Sequence, residues 1–364
     1  VLDPCMGSGH FLVFALPILV AFRMAEEGLT REAAVEAVLR DNLFGLEIDQ
    51  RCTQIAAFNI AFAAWRMVGY RPLPRLNLAC SGLAIGVTKA EWLRLAEKAV
   101  MAADPAAKRD LLGVEKNLLT VGLEERVKNG LEALYDLFAK APWLGSLIDP
   151  RRAGADIFRE GFDKLEPILA TILAASDSDE SREMAVAAQG MARAAALLSS
   201  TYSLSITNVP YLKAGNQGDL IKAYCDRAYP EAKYDLATVF CDRIRNFGAG
   251  GHTSAIVTQQ YWLFLKYYES LRNKFLRSLT INSLAVLGPG AFDGVTGEVV
   301  NVCLQVTTNN SPDQQSEFVG LDVSSEGTPG TKATLLRAGP VGKAKQWSNL
   351  NNPDKRISLD DLSG

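Results

Sequence analysis

Histidine is almost missing from this chain: its 364 residues include two, His10 and His252. That is too few for a histidine-based metal centre, and no metal is expected. The six cysteines, Cys5, Cys52, Cys80, Cys225, Cys241 and Cys303, are scattered without a CxxC pair. The pattern indicates neither a zinc site nor a disulfide framework and fits a reducing cytoplasm. An excess of one charge is also lacking. A net charge of −3 provides no global basic field to draw the protein onto nucleic acid, so any such attraction must be local or lie outside these residues. Membrane-length apolar runs are wanting too. The run from Phe11 to Phe22 is too short to span a bilayer and ends in charge at Arg23, Glu26 and Glu27, and no signal-peptide pattern is apparent.

What is present is an ordinary soluble composition, 48% hydrophobic and 22% charged, in a chain long enough for two or three domains and a sizeable core. Val1-Leu2 already reads as the end of a buried strand, so the sequence is expected to be a fragment cut at its N-terminus.

Residues 1–87 alternate strand and helix. Val1 to Asp3 ends a first strand and a helix follows from about Gly9 to Glu27. Leu43 to Asp49 is an apolar strand ending in acids, Gln50 to Met67 reads as a buried helix, and Asn77 to Cys80 as a third strand. This alternation predicts a parallel sheet with helices on its faces. Residues 88–201 differ. Ala/Leu/Glu/Lys stretches with helical periodicity run from Leu118 to Lys140, Ile157 to Ala175 and Arg182 to Ser199, the last after a polar break at Ser176 to Ser181. They predict an all-helical insertion, either a packing spacer or a surface for a partner or DNA. The α/β pattern resumes over 202–307, with strands at Ser203 to Asn208, Thr253 to Thr258, Ser283 to Leu287 and Glu298 to Val306, and helices at Tyr234 to Asn246 and Tyr261 to Ser278. Residues 308–364 turn polar and read as a poorly packed extension or the start of another domain.

Two motifs carry chemistry. In the first, Asp3 to Phe11, Gly7-Ser8-Gly9 permits a sharp strand-to-helix turn and close backbone approach to a ligand. The helix that follows offers free N–H groups. Asp3 suits a cationic group, such as the amino group of a methionine moiety, better than a phosphate. The turn also lacks GxGxxG spacing and a Walker lysine. Glu47 ends the second strand, where an acid can accept both hydroxyls of a ribose, with Ile48 then packing on an adenine.

The second motif is Asn208-Val209-Pro210-Tyr211, at the end of a predicted strand. An amino group on an aromatic ring is a poor nucleophile because its lone pair is delocalised. The Asn208 side-chain oxygen and the Val209 carbonyl are two acceptors that draw such a nitrogen toward sp³ character. Pro210 stiffens the loop and biases Val209 toward an extended backbone. Tyr211 gives a flat face for stacking a base. No strong general base is required, so in-line placement and desolvation carry most of the rate.

In this order the motifs resemble γ-class N6-adenine DNA methyltransferases. The match is close at Asp3, Pro4, Gly7, Ser8, Gly9 and Phe11 and at Leu46-Glu47-Ile48-Asp49. Val209 stands where the family's Asn-Pro-Pro-Tyr tetrad has its first proline, a tolerable change because the group used there is a carbonyl. Tyr229-Pro230, Asp235-Leu236-Ala237, Gly250-Gly251, Trp262-Leu263-Phe264, Leu271-Arg272 and Leu287 to Phe292 extend the resemblance to the large enzymes of type IIG restriction-modification and BREX phage-defence systems.

The resemblance implies a Rossmann-like class I S-adenosylmethionine-dependent methyltransferase sheet with a helical insertion, 1–87 being the cofactor-binding half and 202–307 the catalytic half. It implies S-adenosylmethionine held by Asp3, Pro4, Gly7, Ser8, Gly9, Phe11, Glu47 and Ile48. Double-stranded DNA would be the substrate, Asn208 to Tyr211 the catalytic loop, and Phe292 a second stacking face for a flipped base opposite Tyr211. Nuclease domains or defence-system subunits outside these residues are the implied partners. One departure stands out. Related enzymes often carry an Asp after the third strand for the cofactor's adenine amino group. This chain has Ala79-Cys80-Ser81-Gly82, leaving Ser81 to make one weaker hydrogen bond.

Lesser candidates have plainer readings. Cys5 is a small buried hydrophobe. His10 is a helix-start contact or touches the cofactor, and His252 is a loop residue. The stripe Tyr261, Trp262, Phe264, Tyr267 and Tyr268 is core rather than a stacking platform. Lys266, Arg272, Lys274 and Arg277 form a solvated helix face or contact phosphate. Two other functions stay open: methylation of another planar amide or amine (protein glutamine or an RNA base), and a non-catalytic cofactor-binding module of a defence complex.

Overall fold

Glycines and short acids punctuate the chain into alternating strands and helices. The structure, a computed structural model, describes residues 1–94, 129–153, 179–292 and 300–359. In chain order the principal elements are β1 (Leu2–Asp3), α1 (His10–Glu27), α2 (Arg31–Asp41), β2 (Phe44–Glu47), α3 (Gln50–Val68), β3 (Asn77–Cys80), α4 (Asp179–Ser199), β4 (Leu204–Asn208), α5 (Asp219–Ala228), α6 (Leu236–Ile244), β5 (Thr253–Gln259), α7 (Glu269–Ser278), β6 (Thr280–Gly288), β7 (Val302–Thr308), β8 (Glu317–Asp322), α8 (Pro329–Ala338) and β9 (Gly342–Lys345). They fall into two compact units: residues 6–200, and residues 1–5 together with those from 201 onward.

In the unit of residues 6–200, β2 and β3 run parallel, in register from Phe44 beside Asn77 to Glu47 beside Cys80. The core is built where helical stripes meet: Leu12, Leu16 and Val20 of α1, Val35, Val38 and Leu39 of α2, and Ala56, Ile60 and Ala64 of α3. Thr30 and Asp49 cap α2 and α3, each accepting from backbone N–H groups of the first turn. The expected burial of α3 holds for one stripe. Its other face exposes Ile55, Phe58 and Phe62, and α1 likewise exposes Phe14, Ile18 and Phe22. Each of these helices carries a second apolar stripe facing away from the core it helps to build.

The segment read as a helical insertion is helical where it is described: residues 89–94, 129–138, the turn Ala141–Leu144, and α4. The expected helix at 157–175, the first half of the polar break after it, and the first part of 118–140 lie outside the described residues, while the second half of the break, 179–181, already belongs to α4. The insertion is not a separate body. Its residues cluster with the first half of the chain, and α4 packs against β3 and β2, where the Arg193 guanidinium donates to the Leu76 carbonyl. Trp92 is buried, with its indole N–H donating to the Leu131 carbonyl at 2.8 Å.

In the other unit the strand order is β1-β4-β5-β7-β6-β8-β9. β1, β4 and β5 are parallel, β7 runs antiparallel between β5 and β6, and β8 is parallel to β6. Burial alternates residue by residue along β5, as expected of a strand with one covered face. Two expectations are corrected here. The polar stretch after 308 supplies β8, α8 and β9 to the same sheet, and Phe318 is fully buried in it. The helix expected over Tyr261 to Ser278 is two 3₁₀ turns, Gln260–Leu263 and Lys266–Tyr268, followed by α7.

Arg272 accounts for that break. It is fully buried and its guanidinium takes the carbonyls of Trp262 (2.7 Å) and Leu265 (2.8 Å), acceptors a continuous α-helix would use itself, together with those of Asp354 and Lys355. The expected solvated basic face holds for Lys266 and Arg277, which are exposed, and fails at Arg272. Arg272 lies inside, Lys274 pairs with Asp242 at 2.7 Å, and Arg277 bonds Asn273.

Candidate active site

The glycine turn and the end of β2 meet at one carboxylate. Glu47 Oε2 accepts the Gly7 N–H at 2.8 Å, while Oε1 accepts those of Ile48 (2.9 Å) and Asp49 (3.1 Å). Three backbone donors thus fix the acid at the strand end. The turn is locked from below: Met6 N–H bonds the Leu46 carbonyl, Gly9 N–H the Met6 carbonyl, and the Asn59 amide the Ser8 carbonyl. Gly9, with φ 83°, is the residue before α1, and a Cβ there would stand 3.0 Å from Ala56 Cβ. Only a glycine both adopts that backbone and lets α1 start so close to α3. Gly7, also at positive φ, faces open space. Phe11 is half-buried. Ser8 and His10 pair side chain to side chain at 3.1 Å, which places His10 at the helix start as expected.

Asp3 and Pro4 are both buried, and Asp3 Oδ1 accepts the Cys5 N–H at 3.1 Å. Cys5 itself is half-buried rather than buried. Ile48 is partly exposed and lies against Gly82 and Gly145. Ser81 is placed differently from expectation. It is fully buried, its N–H and hydroxyl both donate to the Glu47 carbonyl (2.7 and 3.2 Å), and the hydroxyl also meets Ser146 Oγ at 3.2 Å. This hydroxyl braces the strand end that carries Glu47.

The second motif sits at the end of β4. Asn208 and Pro210 are exposed, Val209 is buried, and Val209 N–H reaches the Val257 carbonyl of β5. The Tyr211 hydroxyl donates to Asn208 Oδ1 at 3.2 Å, so side chains one and four of the tetrad are held together. Burial raises the Tyr211 pKa, which keeps the phenol protonated as a donor.

Asp235, which the sequence reading assigned no role of its own, staples the segment after Tyr211. Its Oδ1 accepts the Leu212 N–H (3.2 Å) and the Ala237 N–H (2.9 Å) while it caps α6. Leu236 N–H in turn bonds the Leu212 carbonyl, and Ala214 N–H that of Tyr234. Burial raises the Asp235 carboxyl pKa. The signal for this residue was an acid before an apolar helical run, an N-cap pattern. Tyr234, Tyr267 and Tyr268 cluster beside it with ring centroids 4.6 to 5.5 Å apart. Phe292, four residues past the end of β6, is 44% exposed.

His252 lies in the loop before β5, as expected, and is buried there, with its Nε2 3.0 Å from Ser205 Oγ. Burial lowers its pKa to about 4, which leaves it neutral. Among the described residues there is no cluster of metal-ligating side chains and no helix long and apolar enough to cross a membrane.

Chemically, one half offers a glycine turn whose own backbone anchors an acid. The other offers an exposed amide acceptor locked to a tyrosine. Against known proteins, the chain is 29% identical over 318 residues to the adenine-specific methyltransferase BrxX of Escherichia coli O9:H4 (strain HS), covering 85% of this chain and 25% of the relative. It is 27% identical over 301 residues to the adenine-specific methyltransferase PglX of Lacticaseibacillus casei (strain Zhang), covering 82% and 22%. This chain thus spans about a quarter of the length of either. Among solved structures, a nuclease-deletion mutant of the Type ISP restriction-modification enzyme LlaGI with a DNA substrate mimic superposes at a TM-score of 0.49 and 13% identity, over 92% of this chain and 22% of that one. The model of the Eco57I restriction-modification methylase family matches residues 41–291, a span that takes in Glu47 and Asn208 to Tyr211 and covers well over half the sequence, and the chain belongs to that family.

Proposed function

We propose that this chain is the catalytic core of an adenine-N6 DNA methyltransferase of a restriction-modification or phage-defence system, working in the cytoplasm with S-adenosylmethionine as methyl donor. The observation that carries it is the strand-end amide: Asn208 is exposed, tied to Tyr211, and followed by a loop stapled through Asp235.

The donor set fits the cofactor. Glu47 is fixed by backbone N–H groups as an acceptor for ribose hydroxyls, and Gly7 leaves its side open. Asp3 supplies a carboxylate for an amino group. Gly7, Ser8, Gly9, Phe11, Glu47 and Ile48 complete the set, and Ser81 acts through Glu47 rather than on the ligand. Bound there, S-adenosylmethionine supplies an electrophilic methyl group on a sulfonium sulfur.

The chain's own residues prepare the acceptor. An adenine turned out of the duplex stacks on Tyr211 and on Phe292. The Asn208 side-chain oxygen and the Val209 carbonyl accept the two N6 hydrogens and localise the nitrogen's lone pair. With its lone pair localised in this way, N6 would be set to accept a methyl group, and the proton it sheds would pass to solvent. No residue needs to act as a strong base, so positioning and exclusion of water supply most of the rate.

Asn208→Ala is expected to lower transfer by about a hundredfold or more while leaving S-adenosylmethionine affinity within about twofold. The measurement is calorimetric cofactor binding beside adenine mapping in a methylation-free host that expresses the full open reading frame. Unimpaired methylation by Asn208→Ala would sink the mechanism. Cofactor binding with no modified adenine in any DNA would favour the regulatory-module reading.

A further inference from the structure

Lys332 occupies a position hostile to a lysine. It is the fourth residue of α8 and is 2% exposed. A helix N-terminus carries partial positive charge, and burial strips an ammonium of its hydration. Two backbone oxygens offset this. Lys332 Nζ donates to the Leu287 carbonyl at 2.6 Å and to the Val323 carbonyl at 2.9 Å.

Leu287 is the penultimate residue of β6, and the residues after it lead off the strand to Phe292. This stretch is gripped at its root. Gly288 turns at φ 63°, and a Cβ there would lie 2.7 Å from Ser324 Cβ and 2.8 Å from Ser324 Cα. Val323 N–H bonds the Val286 carbonyl, and Leu287, Val302 and Val323 form a small apolar cluster on which Ala291 packs. Lys332 joins the two chain segments that leave β6 and β8 at the point where Phe292 is launched.

We infer that Lys332 is a positioning residue for the 288–292 loop. By holding the Leu287 carbonyl it sets how Phe292 is presented to an extruded base. The inference rests on the stacking role given to Phe292 above. Without the ammonium the Leu287 carbonyl loses this donor and the Val323 carbonyl keeps only the Glu326 N–H, while the Gly288–Ser324 packing and the sheet ladder stay, so the change is confined to the loop.

The test uses the full chain with Lys332→Met, Lys332→Arg, Phe292→Ala and the double variant Lys332→Met/Phe292→Ala. Lys332→Met is expected to speed hydrogen–deuterium exchange over 287–292 but not in β4 or β5, and to leave cofactor affinity unchanged. Its kcat/KM on a duplex carrying the mapped target should fall about tenfold or more. Lys332→Arg should restore most of the loss, and the double variant should be no worse than the poorer single one. Unchanged exchange over 287–292, or losses that simply multiply in the double variant, overturns the proposal. Impaired Phe292→Ala beside fully active Lys332→Met also overturns it while sparing the stacking reading, whereas fully active Phe292→Ala overturns both. If Lys332→Met fails to fold, Lys332→Gln, which keeps one amide donor, is read by the same criteria.

Discussion

Asp235 separates two tasks that one carboxylate performs. It caps α6 through the Ala237 N–H, which is local, and it holds the Leu212 N–H, which fixes the chain just past Tyr211. Asp235→Ala removes both, and loss of a cap costs about 1–2 kcal/mol. Asp235→Ser keeps a short cap acceptor without the reach to Leu212. It is expected to unfold in urea near the wild-type midpoint while its methyl-transfer kcat falls about tenfold, a smaller shift than a lost acceptor but of the same origin in misplacement. Equal kcat in Asp235→Ser and wild type would show that the loop keeps its place without the staple.

Where elements are concerned, Arg272 shows how a buried cation rewrites local structure. The aromatic-rich sequence from Tyr261 has enough helical character to predict one long helix, yet the guanidinium claims the carbonyls such a helix would need and links them to Asp354 and Lys355, both at positive φ. Its burial lowers its pKa to about 10, which leaves it charged at neutral pH. A lysine cannot serve all four carbonyls, because its three donors radiate from one point where the guanidinium spreads five over a planar fork. Arg272→Lys is expected to cost about 2–4 kcal/mol in chemical denaturation, with the loss spread over the turn and the segment at 353–356. A loss under about 0.5 kcal/mol would mean that the carbonyls find other donors.

For the molecule as a whole, stability should have an acid limb that traces to His252. Its folded pKa of about 4 lies below the ordinary 6.5, chiefly because burial disfavours the charged ring. The unfolded chain therefore takes up a proton that the folded chain refuses. The stabilisation is complete above about pH 6.5, is lost as pH falls toward 4, and changes no further below that; the full difference is on the order of 3 kcal/mol. A urea series from pH 7 to pH 4 on wild type and His252→Asn should show this limb flattened in the variant. A limb of the same depth in both would assign it to other groups.

Much of this was readable in the linear sequence, for physical reasons. The glycine turn, the acid ending β2 and the amide ending β4 are local signals: a backbone at positive φ, a strand followed by a helix, a rigid Asn-X-Pro loop. Each is specified by residues a few positions apart, and the structure puts Gly7 and Glu47 in contact and Asn208 beside Tyr211. What escaped were partners distant in sequence. Ser81 turns inward because Ser146 and the Glu47 carbonyl lie there. Arg272 is buried because residues 354 and 355 return to it. The polar tail joins the sheet because the free edge of β6 accepts β8. Composition and periodicity report which face a residue prefers. They do not report which carbonyl, from tens of residues away, will be waiting for a buried donor, and that assignment is made only when the chain packs.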